Sequence, residues 1–133
     1  MHPKFEGLDR YTNFGIIKME FTIEFYVDAQ GRKPVKEFLE EVFKRNKKLW
    51  SQTIKGLEKI KLRAYHKEPL SKALGDNLWE IRIQSRSDIL RIIYTFTKGR
   101  RIILLHGFIK KTQKTPRGDL VIAKERLKRL VRR

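Results

Sequence analysis

The sequence contains no cysteine among its 133 residues. A disulfide framework, a cysteine-ligated zinc site and a thiol nucleophile are therefore excluded. A chain without disulfides fits a reducing compartment, so we expect a cytoplasmic protein. No apolar run approaches the ~18 residues of a membrane span, and residues 1–18 lack the continuous apolar segment of a signal peptide. We therefore expect neither secretion nor a membrane partner.

Motifs of several common enzyme classes are also missing. The chain has no GxSxG motif, no P-loop and no GxGxxG motif. Its three histidines, His2, His66 and His106, are too far apart in sequence for a recognised metal motif. We therefore predict no metal and no cofactor. His66 is a candidate general base near the end of a predicted helix, with a surface or capping role as the alternative. For His106, in mid-strand, we expect a satisfied, semi-buried histidine.

Acidic residues are scarce relative to basic ones. The chain has 32 lysines and arginines but 15 acidic residues, which gives a formal net charge of +17. The excess is greatest in residues 98–133, which hold 13 lysines and arginines but only two acids. Such a basic end indicates a polyanionic partner, namely nucleic acid, an anionic membrane or an acidic protein. The alternative is a solvated charged surface without a partner.

Hydrophobic periodicity divides the chain into strands and helices. Alternation predicts strands in MEFTIEFYVD, LWEIRIQ and ILRIIYTFT, and RIILLHGFI is apolar on both faces, as expected of a central strand. Helical spacing predicts an amphipathic helix in PVKEFLEEVFKR and a second from about Lys47 to Tyr65, joined to it near Asn46. A basic amphipathic helix, capped by Thr115, is predicted in TPRGDLVIAKERLKRLVRR.

The order β-α-α-β-β-β-α predicts an α+β fold. Short connections at Ser85–Asp88 and Lys98–Gly99 indicate that the last three strands form an antiparallel meander. We expect a small antiparallel sheet with the helical hairpin packed on one face. Residues 19–133 are predicted to be a single domain, and residues 1–18 an N-terminal extension without clear periodicity.

Two arginines are predicted to meet across a β-hairpin. A four-residue loop at Ser85–Asp88 would put Arg82 directly opposite Arg91. Both side chains would then point to an exposed face, away from the helix-covered core. Two adjacent guanidinium groups suit a phosphate, which each can bind in a bidentate manner. The alternative is that Glu80, on the same face, neutralises the pair.

Cations also follow the last predicted strand. Lys110, Lys111 and Lys114 leave the end of the sheet, and Arg117 follows near a helix N-terminus that adds a partial positive charge. Exposed cations here could surround a phosphodiester and give affinity with little sequence preference. We predict RNA contacts at Lys67, Lys110 and Arg117.

Three segments carry a family resemblance. LWEIRI, LRIIY and HGFIKKTQKTP, in this order and spacing, resemble the RelE/ParE superfamily of toxins from type II toxin–antitoxin systems. The resemblance covers residues 20–131 and is greatest to the phage-derived, HigB-like branch. It implies a small antiparallel sheet wrapped by helices. It also implies an mRNA interferase, an endoribonuclease that usually acts on the translating ribosome and is inhibited by a helix-turn-helix antitoxin.

The resemblance further implies a metal-independent reaction in which the RNA 2′-OH attacks the adjacent phosphate, assisted by a base, an acid and cations. It suggests roles for six residues, namely Arg82 and Arg91 as phosphate stabilisers, Lys111 or Lys114 as acid or further clamp, and Glu80 or His66 as base. Glu80 stands where RelE has a basic residue, and RelE's C-terminal tyrosine has no clear equivalent. The sequence therefore departs from RelE's own proton-transfer scheme.

Two other functions compete with the endoribonuclease. One is a ParE-like inhibitor of DNA gyrase, or an inactive relative that binds only its antitoxin and operator. The other is a basic nucleic-acid-binding regulator, although no helix-turn-helix or RNA-binding aromatic motif supports it. ParE-type proteins generally lack the ribonuclease residues, so Arg82 and Arg91 favour the ribonuclease. The sequence predicts no oligomeric state.

Overall fold

The computed structural model describes residues 20–86 and 88–131. The predicted N-terminal extension lies outside these ranges, so the domain boundary stays a prediction. The elements are β1 (Thr22–Phe25), α1 (Pro34–Arg45), α2 (Lys47–Lys59), β2 (Ser71–Gly75), β3 (Leu78–Gln84), β4 (Ile89–Thr97), β5 (Arg101–Lys110) and α3 (Arg117–Val131).

The predicted α+β class is confirmed, and the strands form one sheet in the order β1-β5-β4-β3-β2. Strands β3, β4 and β5 form the predicted antiparallel meander. Strand β2, which the sequence analysis missed, pairs antiparallel with β3. Its sequence, SKALG, is short and does not alternate clearly between apolar and polar residues. Strand β1 pairs parallel with β5, so the sheet is mixed rather than wholly antiparallel.

Helices α1 and α2 form the predicted hairpin, which turns at Asn46. The Asn46 side chain accepts a hydrogen bond from the Leu49 backbone N–H at 3.0 Å and so caps α2. Pro34 occupies the first turn of α1, where its missing N–H costs no hydrogen bond. Gly56 brings α2 close to the sheet, because a Cβ atom there would lie 2.7 Å from Ile83 Cδ1.

Helix α2 ends at Lys59, six residues before the predicted end. The chain then becomes extended at Leu62 and makes a short 3-10 turn at Arg63–Tyr65. The carbonyl of Lys61 accepts a hydrogen bond from the Phe21 N–H at 2.8 Å, which ties this stretch to the segment before β1. In a longer α2 the Lys61 carbonyl would accept from the Tyr65 N–H, which instead donates to the Leu62 carbonyl at 3.1 Å. Local periodicity cannot report the tertiary hydrogen bond from Phe21.

The helical hairpin covers one face of the sheet, which we call the hairpin face. Its buried core is apolar and joins α1, α2 and the sheet, with Val35, Leu39, Leu57, Ile81, Leu90, Ile92 and Leu104 among its members. Ile81 on β3 and Leu90 and Ile92 on β4 point to this face, and Arg82 and Arg91, which alternate with them, point to the other, as predicted. The hairpin therefore lies on the predicted side of the sheet.

Helix α3 covers the opposite face, which we call the α3 face. The prediction that this face is exposed is wrong. Strands β4 and β5 are apolar on both faces, and a second core of Tyr26, Leu78, Ile93, Ile103, Leu105, Phe108 and Ala123 is buried beneath α3. An uncovered sheet would leave these side chains in water, so the last helix packs over them.

Candidate functional site

Arg82 and Arg91 lie directly opposite each other on β3 and β4, so the predicted register is correct. Both side chains lie on the α3 face. Glu80 lies two residues before Arg82 on the same strand and therefore shares that face. We call Glu80, Arg82 and Arg91 the charged cluster.

Glu80 binds both arginines. The Nε atom of Arg82 donates a hydrogen bond to Glu80 Oε1 at 2.7 Å, and Arg91 Nε lies 3.9 Å from the same oxygen. The second carboxylate oxygen accepts a hydrogen bond from the Thr115 hydroxyl at 2.8 Å. The Glu80 side chain is completely buried. The carboxylate therefore offsets one of the two positive charges, as the alternative interpretation of the sequence anticipated.

Arg91 is also completely buried, which corrects the prediction that its side chain is exposed. Its Nη2 atom donates a hydrogen bond to the Thr112 carbonyl. Among the described residues, its Nε and Nη1 atoms have no hydrogen-bond partner. Burial lowers the pKa of Arg91, and the positive charge of Arg82 adds to this shift. The carboxylates of Glu80 and Asp119 act in the opposite direction, Glu80 more strongly. The guanidinium stays protonated, because an arginine does not lose its proton in proteins.

Residues 111–116 cross over the charged cluster, and we call them the covering segment. Arg82 Nη2 donates a hydrogen bond to the Gln113 carbonyl at 3.0 Å, in addition to the bonds that Thr112 and Thr115 make. Thr115 therefore binds Glu80 rather than capping α3 as predicted. The Arg82 side chain is 19% exposed, so it is the member of the cluster that solvent reaches.

The predicted lysines surround this covered cluster at the surface. Lys110 ends β5 opposite Ile89, and the side chains of Lys111, Lys114 and Arg117 are exposed. Lys111 and Lys114 belong to the covering segment, and Lys110 and Arg117 flank it directly. The structure thus brings the predicted lysines and arginines to one end of the α3 face.

A second polar group on the α3 face was not predicted as functional. His106 Nε2 lies 2.7 Å from Asp119 Oδ1, and Arg126 Nη1 lies 3.5 Å from the other ring nitrogen. The His106 ring stacks on Phe108, whose centroid is 6.0 Å from the Arg91 guanidinium carbon. Burial lowers the pKa of His106, although the Asp119 carboxylate acts in the opposite direction. No sequence motif links residues 106 and 119, so only the fold identifies this pair.

His66 lies apart from the charged cluster. His66 Nε2 donates a hydrogen bond to the Ile60 carbonyl at 2.7 Å. Its ring centroid is 4.9 Å from those of Phe21 and Phe96, which belong to the hairpin-face core. Lys67 follows it and is exposed. The structure therefore does not bring the predicted base His66 to the two arginines.

Metal-ligating residues do not cluster within residues 20–86 and 88–131. No group of three or more histidine or acidic residues in these ranges is arranged to hold a metal ion. The prediction of a metal-independent reaction stays a prediction. Over the same part of the chain, every helix is too short or too polar to cross a membrane.

One family model matches the chain. It is described as "Phage derived protein Gp49-like (DUF891)" and covers residues 37–128. The match runs from the first turns of α1 to near the end of α3, and it includes the charged cluster and the covering segment. No curated protein matches the chain.

Proposed function

The chain belongs to the Gp49-like family of phage-derived, toxin-like proteins of toxin–antitoxin systems, and on that premise we propose that it is a toxin that cleaves messenger RNA. Such a toxin has an antitoxin as its partner. We further propose that it belongs to the HigB-like branch, that the antitoxin carries a helix-turn-helix, and that cleavage takes place on the ribosome in the cytoplasm.

One observation carries the proposal of RNA cleavage. Two arginines face each other across β3 and β4 beneath a segment that presents Lys111 and Lys114. Guanidinium and ammonium groups at one end of the same sheet face favour an anion such as a phosphate there. The family match covers this arrangement, and the net charge of +17 favours a polyanionic partner.

The proposed reaction is a transesterification. The RNA 2′-oxygen attacks phosphorus, a base accepts its proton, and the bond from phosphorus to the 5′-oxygen breaks as an acid protonates that oxygen. Cations stabilise the negative charge of the five-coordinate phosphate. Arg82 is the partly exposed arginine and would contact this phosphate, and Lys111 or Lys114 would be the acid or a further clamp.

Arg91 and Glu80 would act differently from Arg82. Arg91 is buried, so it would raise the local positive potential from below and act as a positioning residue. Glu80 binds Arg82 at 2.7 Å, which supports Glu80 over His66 as the base. In this role the carboxylate must release Thr115 or Arg82 when RNA binds. Lys67, Lys110 and Arg117 are proposed as RNA contacts outside the reaction centre.

The buried carboxylate favours a second candidate function. Glu80 occupies the position between the arginines where a phosphate would otherwise bind, and Arg91 is not accessible. A toxin whose arginines serve only its structure would act by binding a protein target, as a ParE-like inhibitor of DNA gyrase would. The two functions differ in what they damage in a cell.

Induced expression in a bacterial host separates the two candidates. We expect wild-type protein to stop translation and to produce cuts inside reading frames, and Arg82→Ala to reduce both effects strongly. The measurements are pulse labelling of new protein and mapping of new RNA 5′ ends. DNA breaks and stalled replication without RNA cuts would contradict the proposal and support the gyrase candidate. Co-expression of the neighbouring reading frame should restore growth if that frame encodes the antitoxin.

A further inference from the structure

A continuous groove runs along the exposed side of α2 and past the end of β3. Three adjoining clefts of about 530, 250 and 500 Å³ form it. The first two share Gln52 and Gln84, and the last two share Lys59, Leu70, Arg82 and Gln84. The last backbone hydrogen bond along this edge of β3 is the one that the Arg82 N–H donates to the Leu70 carbonyl at 2.9 Å. Beyond Arg82 the end of β3 is left open as the floor of the groove.

The walls of the groove are basic. One wall is α2, which presents Lys48, Lys55 and Lys59, spaced seven and four residues apart and therefore on one side of the helix. Arg86 contributes a fourth cation from the opposite wall. Within the described ranges, none of these four side chains takes part in an ion pair, whereas other surface lysines and arginines do.

The groove also offers groups that suit nucleobases. Tyr65 lines the cleft of about 500 Å³, is 40% exposed and has the ammonium of Lys59 5.8 Å from its ring centre. The amides of Gln84 and Gln113 line the same cleft and can both donate and accept hydrogen bonds. The two ends of the groove each carry one carboxylate, Glu68 in the cleft with Tyr65 and Asp88 in the cleft with Arg86. A charged track beside an exposed aromatic ring is the arrangement that binds single-stranded nucleic acid.

We propose that this groove binds a stretch of single-stranded RNA, with its phosphates on the α2 lysines and Arg86 and one base stacked on Tyr65. The proposal rests on the proposed function, because Arg82 of the charged cluster lines two of the three clefts and a bound strand would pass it. Lys48 and Lys59 are eleven residues apart on α2, about 16 Å at 1.5 Å per residue, which several nucleotides can span. The groove thus acts as a binding site outside the reaction centre.

The charge of the groove is tested with the triple variant Lys48→Gln, Lys55→Gln, Lys59→Gln. Its matched control is Lys33→Gln, Lys36→Gln, Lys44→Gln, which removes three exposed lysines at or beside α1. The probe is a fluorescent, 2′-O-methylated single-stranded RNA, which cannot be cleaved. Counterion release predicts about 100-fold weaker binding for the groove variant at about 0.1 M salt, and a salt slope about two units shallower. We expect the control to change both values much less.

The stacking contact is tested with Tyr65→Ala, with Tyr65→Phe as the matched control that keeps the ring. Loss of base stacking predicts about 5- to 150-fold weaker binding for the alanine variant at every salt concentration. The phenylalanine variant should bind like the wild type. A probe with one abasic position at the stacking base should lose the same factor with wild-type protein and nothing further with Tyr65→Ala.

The outcomes separate this proposal from the proposed function. Equal losses in the two lysine variants, binding that is insensitive to Tyr65→Ala, or equal affinity for duplex RNA would overturn the groove, even if wild-type protein cleaves mRNA. Groove-dependent binding by a protein that never cleaves mRNA would support the groove and overturn the ribonuclease. If wild-type protein binds no single-stranded RNA, the groove proposal falls, and the ribonuclease is decided separately by the RNA cuts that induced expression does or does not produce.

Discussion

The two faces of the sheet differ in what they bury. The hairpin face buries an apolar core between the sheet and two helices, whereas the α3 face buries Glu80 and Arg91 among its apolar side chains. Burying an ion pair costs desolvation energy, and apolar residues of similar volume often give equal or greater stability. Stability alone therefore explains the apolar hairpin face, whereas it gives little reason for the buried charges of the α3 face.

The polar groups of the two faces differ in the same way. On the hairpin side, the buried Thr53 is neutral, and its hydroxyl donates a hydrogen bond to the Leu49 carbonyl at 2.8 Å. Its burial therefore leaves no hydrogen-bond donor without a partner. On the α3 face, Arg91 retains two guanidinium nitrogens without a hydrogen-bond partner in the described part of the chain. Charged groups kept in such surroundings cluster at functional sites, although structural ion pairs share the property. A functional and a purely structural role for Arg91 and Glu80 predict different effects of substitution on stability and on cleavage.

Removal of the buried carboxylate should have the largest effect on stability. Glu80→Ala leaves two arginines without their shared partner, and we expect a loss of about 3–5 kcal/mol in the free energy of unfolding. The matched control is Glu24→Ala, which breaks an ion pair with Arg101 whose side chains are 46% and 43% exposed. An exposed pair contributes about 0–1 kcal/mol. Urea denaturation measures both values, and similar losses would mean that burial of Glu80 has no special importance.

Replacement of the buried arginine should change stability much less. Arg91→Met keeps most of the side-chain volume and leaves Glu80 bound to Arg82 and Thr115. It loses the bond to Thr112 but also removes a desolvated charge, so we expect stability within about 1 kcal/mol of the wild type. RNA cleavage should fall, because the positive potential beneath Arg82 is lost. A variant with greatly reduced stability and unchanged cleavage would show that Arg91 serves only the structure.

Protonation of His106 should produce the smallest effect, a pH dependence of stability. Burial lowers the pKa of His106 below its ordinary 6.5. The unfolded chain then binds the proton more tightly, so the free energy of unfolding falls as pH drops through about 6.5 toward the lower pKa of the folded state. His106→Gln should reduce this fall, and Asp119→Asn should enlarge it because Asp119 raises the pKa of His106.

The measurement is urea denaturation at about pH 7.5 and about pH 5.5 for the wild type and both variants. If His106→Gln keeps the full pH dependence of the wild type, other groups cause it and His106 is not involved.

Local sequence patterns predicted the elements that depend on neighbouring residues. The loop length at Ser85–Asp88 fixed the register that pairs Arg82 with Arg91, and helical spacing identified both helices of the hairpin. Strand β2 was missed because its pairing depends on β3 rather than on its own alternation. The correct pairing of Arg82 with Arg91 shows that the register of a hairpin can be deduced from its loop length without a structure.

The parts of the site that the sequence could not reveal depend on tertiary contacts. The covering segment binds Arg82 and Arg91 through the backbone carbonyls of Gln113 and Thr112, and any residue has such a carbonyl. The amphipathic pattern of α3 predicted a helix with an apolar side but could not show that this side packs on the face of the sheet opposite the hairpin. The groove along α2 arises only where the open end of β3 meets the helix, so its lysines look in the sequence like any solvated stripe.

The central claim is that the α3 face carries the chemistry, and in vitro cleavage of mRNA in a translating extract tests it most directly. The comparison is between Arg82→Ala and Arg101→Ala, two arginines that each bind a glutamate, near opposite ends of the sheet. Loss of one charge-assisted phosphate contact, about 1.5–3 kcal/mol, predicts a cleavage rate for Arg82→Ala that is about tenfold to over a hundredfold lower. Arg101→Ala should cleave at the wild-type rate. Equal rates for the two folded variants would contradict the account.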